Sequence, residues 1–320
     1  MASTHELSDW ETCDERDALV PITSCRLFLS VRGPPREPDQ PVIICESGAA
    51  SGGKGWSALT RLLAPHVRVY YYDRAGIGRS EASTLPRTAS NMAAELAELL
   101  TAAQVRPPYI TVAHSLGGLI TRELLARSSS DAIAGMVFVD AVQEKTFHKL
   151  QIPDKVFSLL FENMDFFEVT GFNRDHQLTP EEYTNVLKAD DNAKANRIAE
   201  KEHALFEESA ETLREKRQFE TQPLAHHPVT VIVGNCAAGY RLMLEDAVVR
   251  DIGGPDERAE FEAFVSRVEA SLEPLEKEQL LLSTSTSSRF IQAERIGHHP
   301  HWTEPQLVAD EVLLMLGVVE

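Results

Sequence analysis

Tyr109-Ile110-Thr111-Val112-Ala113-His114-Ser115-Leu116-Gly117-Gly118-Leu119-Ile120 is the stretch whose reading decides the fold. An aromatic and β-branched run, suited to a strand, leads into a turn of small residues with Ser115 at its tip. An apolar, helix-like segment follows. A serine held between a strand and a helix in this way sits on a strained backbone that projects its hydroxyl clear of the sheet. Strand and helix then cross so closely that the residues two before and two after the serine must be small. They are Ala113 and Gly117. Ala113 carries one methyl group more than a glycine would.

Working outward, Pro41 to Glu46, Val67 to Tyr72, Gly135 to Asp140 and Pro228 to Gly234 are short, nearly continuous apolar runs. Strands of a parallel sheet covered on both faces read this way. Asn91 to Val105 carries Met92, Leu96, Leu99 and Leu100 at helical spacing. Strands alternating with helices call for an α/β fold with a doubly wound, mostly parallel sheet. Cys25 to Val31 alternates as an early antiparallel strand, and residues 1 to about 20 are expected to form a loose leader. The alternation stops after about Val142. The stretch to Gln222 is polar, acidic and helical in pattern, with a capping box and a first-turn proline at Thr179-Pro180-Glu181-Glu182. Ile198 to Phe219 reads there as one long solvent-facing helix. Arg241 to Leu282 supplies one or two charged helices, the second opened by Pro255-Asp256, and Arg289 to Ala293 is the last strand. The expected organisation is a core of residues 1–142 and 227–320, with a helical cap of residues 143–226 inserted between strands.

Composition bounds the partners. The 320 residues are 43% hydrophobic and 25% charged, and the formal net charge is −18. That balance excludes nucleic acid and anionic membrane surfaces, which need clustered Lys and Arg. No run approaches the roughly 20 apolar residues of a membrane span, and the polar start lacks the basic and apolar regions of a secretory signal. Cys13, Cys25, Cys45 and Cys236 have neither CxxC spacing nor a disulfide pattern. A cytoplasmic protein with a small-molecule substrate and no cofactor is the expectation; the oligomeric state is left open.

Four local patterns now fall in one order. They are Glu46-Ser47-Gly48-Ala49 with Trp56; Asp73-Arg74-Ala75-Gly76-Ile77-Gly78-Arg79-Ser80; the turn at Ser115; and Gly297-His298-His299-Pro300-His301 before Pro305. In that order they resemble the α/β-hydrolase family over residues 25 to 142 and 227 to 318. The glycine-rich loop resembles its HG-x loop with Ser47 in place of histidine, and the second pattern its D-x-x-G-x-G-x-S turn. The resemblance implies Ser115 as nucleophile and the backbone amides of Ala49 and Leu116 as oxyanion donors. It also implies His298, seven residues before the proline opening the last helix, as the base.

Chemistry requires these types. A serine hydroxyl needs a base to take its proton, and histidine titrates in the useful range. A carboxylate then fixes the imidazole tautomer. The acid is less determined. The turn after the Val229 to Val233 strand, Gly234-Asn235-Cys236-Ala237-Ala238-Gly239, holds no carboxylate. Asp140, ending the preceding strand, is where some family members carry theirs, and Glu245, Asp246, a neutral Asn235 or a dyad without an acid are alternatives. His299 and His301 read as loop or pocket-lining residues, and His114 as a supporting residue. The histidine cluster shows no third ligand at metal spacing, so no metal is expected. Asp73 and Arg74 read as a bracing turn. Phe157, Leu160, Phe161, Phe166 and Phe167 read as the inner face of the cap.

The functional expectation is a serine hydrolase cleaving an ester, lactone or thioester of a small, largely apolar molecule. Other chemistry on the same residues (cyclisation, lyase action, acyl transfer) and a non-catalytic ligand-binding role are the alternatives. Epoxide hydrolysis is disfavoured, because relatives with that chemistry place an aspartate where Ser115 stands.

Overall fold

The computed structural model describes residues 7–129, 131–190 and 193–318. One eight-stranded sheet organises them: β1 (Glu15–Pro21), β2 (Arg26–Arg32), β3 (Val42–Glu46), β4 (Val69–Tyr72), β5 (Tyr109–His114), β6 (Ile133–Val139), β7 (Val229–Asn235) and β8 (Arg289–Ile296). The spatial order is β1-β2-β4-β3-β5-β6-β7-β8. β2 pairs antiparallel with β1 and β4, and the strands from β4 onward are mutually parallel. The chain leaves β3 toward β4 and returns to its other side as β5. Such a reversal opens a crevice at the carboxyl ends of the strands.

Side chains that alternate along each strand build two cores, one on each face of the sheet. Val42, Ile44, Tyr70, Phe138 and Val231 pack against the helices Ala89–Ala102 and Gly117–Arg127. Ile43, Cys45, Val69, Val112 and Val137 face the helices Ser57–Leu63 and Pro305–Met315. Both faces are covered, which is why the central strands read as unbroken apolar runs.

Between β6 and β7 the chain is helical, as its pattern indicates, and the capping box forms. The Thr179 amide donates to Glu182 Oε2 at 2.8 Å, and the Glu182 amide to Thr179 Oγ1 at 3.3 Å. Two expectations need correction. The leader reading fails from Asp9 onward; its first six residues lie outside the described part. A helical turn at Asp9–Thr12 precedes β1, an edge strand paired along its whole length with β2. Its polar alternation is that of a solvent-facing edge. Nearby Glu11 is fully buried, its charge matched by Arg36 at 2.7 Å and Arg106 at 3.1 Å.

The stretch from Ile198 to Phe219 is not one solvent-facing helix either. A first helix, Ala193–His203, ends before a second, Phe206–Glu215, and Arg217 then takes a left-handed φ of +50° ahead of the turn Gln218–Thr221. The turn seats Gln218 on Arg122, with Arg122 Nε donating to its side-chain oxygen at 3.0 Å and Gln218 Nε2 to the Arg122 carbonyl at 2.9 Å. Ile198, Glu202, Ser209 and Leu213 are buried. A charged face that looked solvated is partly an ion-pairing face.

Candidate active site

The carboxyl ends of five strands meet around one cavity of about 180 Å³. Ala49 follows β3, Ser115 and Leu116 follow β5, Asp140 follows β6, Cys236 follows β7 and His298 follows β8, and all border it. Ser115 holds φ at +51°, the strained geometry that lifts its side chain above the sheet. The close crossing expected there is real. A Cβ on Gly117 would lie 2.6 Å from the Glu46 carbonyl oxygen, and one on Gly48 would lie 2.8 Å from His114 Nδ1 and 3.1 Å from Ser115 Cβ. The β3 loop therefore passes directly over the serine. The amides of Ala49 and Leu116 donate to no other group among the described residues.

Asp140 and His298, 158 residues apart in sequence, are in hydrogen-bonded contact through Asp140 Oδ2 and His298 Nδ1. Asp140 also holds a left-handed φ, +45°. Its carboxylate accepts from the Gly234 amide at 2.8 Å and from the Cys236 thiol at 2.8 Å. Burial alone would raise this carboxyl. The His298 charge and the hydrogen bonds from His298, Cys236 and Gly234 outweigh burial and hold it below the ordinary carboxylate range. Burial and the Asp140 charge push the Cys236 thiol well up, so it stays an S–H donor. The His298 loop is tied to β5 by His114, whose Nε2 donates to the His298 carbonyl at 2.7 Å. Burial, with His298 and His299 nearby, keeps His114 neutral. Ser115 Oγ and the His298 ring are not hydrogen-bonded to each other in this arrangement; they share the wall of the same cavity.

The other acid alternatives sit elsewhere. Glu245 is exposed, Asp246 pairs with Arg250 at 2.6 Å, and neither lines the cavity. Asn235 caps the helix Cys236–Val249, accepting from the Ala238 amide. His299 stacks on Trp302 with ring centroids 4.2 Å apart, and His301 packs between Trp56 and His114. Phe157, Leu160 and Phe161 pack against Phe261 and Phe264 of the helix Pro255–Lys277, whereas Phe166 faces His299 and Phe167 faces Phe172. Asp140 Oδ2, Cys236 Sγ and His298 Nδ1 lie within 4.8 Å of one another, close enough to bracket an ion. Each is already engaged with the others, and we assign none as a metal ligand.

Arg74 is a brace, and a stronger one than its motif suggests. It pairs with Glu46 at 2.9 Å and Glu202 at 3.0 Å, and donates to the carbonyls of Ser47 and Gly48 at 2.6 Å each. Glu202 Oε2 also accepts from the Ala50 amide at 3.1 Å. Ser47, standing where relatives carry histidine, accepts from Trp56 Nε1 at 3.0 Å. Asp73 receives the amides of Gly53 at 2.8 Å and Arg79 at 2.9 Å.

Sequence reasoning missed Cys236, Tyr240 and Glu276, which border the cavity. One signal was available. Val265, Val268, Leu272 and Glu276 recur every three or four residues, placing Glu276 on the buried stripe of its helix. Among the described residues no helix is long and apolar enough to cross a membrane, and the four cysteines are free thiols.

A parallel sheet with an antiparallel edge and a strained serine above β5 defines a class, and the comparisons agree: the chain belongs to the alpha/beta hydrolase family, whose model matches residues 42–311. An AB hydrolase superfamily protein of Gibberella zeae is 37% identical over 324 residues, covering 97% of this chain and 98% of that protein. "Probable transporter efuK" of Hormonema carpetanum is 32% identical over 310 residues, covering 95% of this chain; the chain spans only 43% of that longer relative. The crystal structure of Cfl2 from Burkholderia cenocepacia superposes with a TM-score of 0.62 at 15% identity, covering 97% of this chain and 98% of that one.

Proposed function

We propose that the chain is a serine hydrolase acting on an ester, lactone or thioester of a small, largely apolar molecule. One observation carries the reading: the Asp140–His298 pair, the Ser115 hydroxyl and the two undonated amides of Ala49 and Leu116 border a single cavity. Rotation of the serine or imidazole side chain would bring the two together, as catalytic contacts often tighten only with substrate bound. His298 Nε2 then takes the Ser115 proton as Oγ attacks the carbonyl carbon. The oxyanion forms against the amides of Ala49 and Leu116. Each such donor is typically worth about 100- to 1000-fold in rate. His298 passes its proton to the leaving group, and water repeats the sequence to release the acid. Asp140 keeps the Nδ1–H tautomer and stabilises the imidazolium.

The substrate class rests on the walls. Val142, Phe147, Leu150, Ile152, Phe206 and Leu272 make the cavity mostly apolar. A second cavity of about 200 Å³ shares Cys236, Tyr240 and His298. Each lobe is below the roughly 300 Å³ of a pocket for a drug-sized ligand, so each suits one small fragment, the acyl group on one side and the leaving group on the other. Several walls come from residues 143–226, which we assign as a cap over the site.

A fluorophosphonate probe tests the reading. The wild-type protein is expected to be labelled and Ser115→Ala not. Wild-type protein that neither labels nor turns over p-nitrophenyl butyrate overturns the hydrolase and favours a ligand-binding role.

A further inference from the structure

Glu276 lies in the last turn of the helix Pro255–Lys277, is 1% exposed, and borders the cavity shared by Ser115, Asp140 and His298. The carboxyl is delivered by the helix face that also buries Val268 and Leu275, two residues after an internal proline, Pro274. Its partners are incomplete. The Ala141 amide hydrogen-bonds the carboxyl, no basic side chain pairs with it among the described residues, and Oε2 is buried with no hydrogen-bond partner. Burial first, then the charge of Asp140, pushes this carboxyl well above the ordinary range. The two acids are thus pushed apart: the contact with His298 favours the ionised form of Asp140, and burial favours the neutral form of Glu276. Environments that push neighbouring carboxyls apart mark distinct roles. A neutral carboxyl carries an O–H donor, and a buried donor left unmet is costly. Much of the surrounding wall is apolar, so Glu276 is one of the few polar groups that a molecule filling the cavity can engage.

We propose, on the footing of the hydrolase reading, that Glu276 sets specificity by donating a hydrogen bond from Oε2 to an oxygen of the substrate. The acceptor is a carbonyl, ether or hydroxyl oxygen a few bonds from the scissile carbonyl. The preferred substrate is therefore an oxygenated small ester, not a plain hydrocarbon one. A site built to bond a substrate oxygen discriminates against the analogue lacking it, because its own polar group is then left unpaired.

Two isosteric sets test this. The acyl set is the p-nitrophenyl esters of pentanoate, 3-methoxypropanoate, ethoxyacetate and 4-oxopentanoate. The alcohol set is the butanoate esters of butanol and 2-methoxyethanol. The wild-type enzyme is expected to favour at least one oxygenated member over its alkyl isostere by about tenfold or more in kcat/KM. Glu276→Leu should erase that preference, and Glu276→Gln, which keeps a donor, should retain part of it. Fluorophosphonate labelling of Ser115 in each variant reports that the catalytic residues remain assembled. If labelling persists in the wild type but no oxygenated member is preferred in either set, the proposal is overturned. The Glu276 proton is then met within the protein. That readout needs no variant, so misfolding of Glu276→Leu does not shelter the idea. Absence of wild-type labelling removes the hydrolase reading itself, and the proposal with it.

Discussion

Asp140→Asn is the most exacting perturbation of this site, because the structure dictates how the amide must sit. The carboxylate accepts on one side from the Gly234 amide, at 2.8 Å, and on the other from Cys236 and His298. An asparagine has one acceptor oxygen and one donor nitrogen. Turned so that its NH₂ meets the Gly234 amide, it places two donors face to face in a buried site. Turned the other way, its oxygen satisfies Gly234 and its NH₂ points at His298 Nδ1. That orientation drives His298 to the Nε2–H tautomer, which cannot take the Ser115 proton. The expected loss is about 1,000- to 10,000-fold in kcat, or about 4 to 5.5 kcal/mol of barrier. KM for p-nitrophenyl butyrate should hardly move, since Asp140 acts on the reaction through the imidazole. Steady-state kinetics, with thermal unfolding to verify the fold, measures both. A kcat within tenfold of wild type, in protein whose activity still requires Ser115, would refute the assignment of Asp140 as the acid.

Arg74→Met should lower unfolding free energy by about 3 to 5 kcal/mol, because it strands Glu46 and Glu202 as buried carboxylates without their cation; a denaturant midpoint unchanged within error would contradict the pairing. His114 and His301 are buried and held neutral, burial being the largest cause for both. Their folded values lie below the unfolded one, so their stabilisation is present above about pH 6.5 and is lost as pH falls. The slope should reach at most about 2.7 kcal/mol per pH unit for the pair, and urea titrations that stay flat from pH 6.5 to 5 would exclude it. Glu276 has the opposite sign. Its raised folded value means that its stabilisation is complete below the unfolded carboxyl value and declines as pH rises. The stability of Glu276→Gln relative to wild type should therefore grow between pH 5 and 8, by no more than about 1.4 kcal/mol per unit; a constant difference would show that Glu276 is ionised in the folded protein.

What was legible in the sequence is what local chemistry encodes. β5 and its turn are readable because a strained serine needs small neighbours at fixed offsets, and β3, β6 and β7 because burial on both faces leaves nothing polar in a strand. Ser115 and Asp140 could be named because each directly follows such a strand, and His298 because it stands seven residues before the proline that opens the last helix. Cys236 and Glu276 were passed over, the latter although its helical spacing marked it as buried. The Cys236 thiol gains its meaning only from Asp140, 96 residues away, and no spacing rule spans that distance. Glu202 was misjudged for a related reason. Helical periodicity distinguishes apolar faces from polar ones, but it does not reveal that a polar face has been turned toward a buried arginine. The N-terminal strand failed as a reading because an edge strand with solvent on one side resembles an irregular tail.

The double grip of Glu202 has a mechanical corollary. One carboxylate clasps Arg74 and the amide next to Ala49, so the helix Ala193–His203 is riveted to the loop that would cradle the developing negative charge. Swinging that helix outward would pull a counter-ion from a dry interior and slacken the cradle in the same stroke. Opening the cavity at this corner would therefore leave a buried charge without its partner.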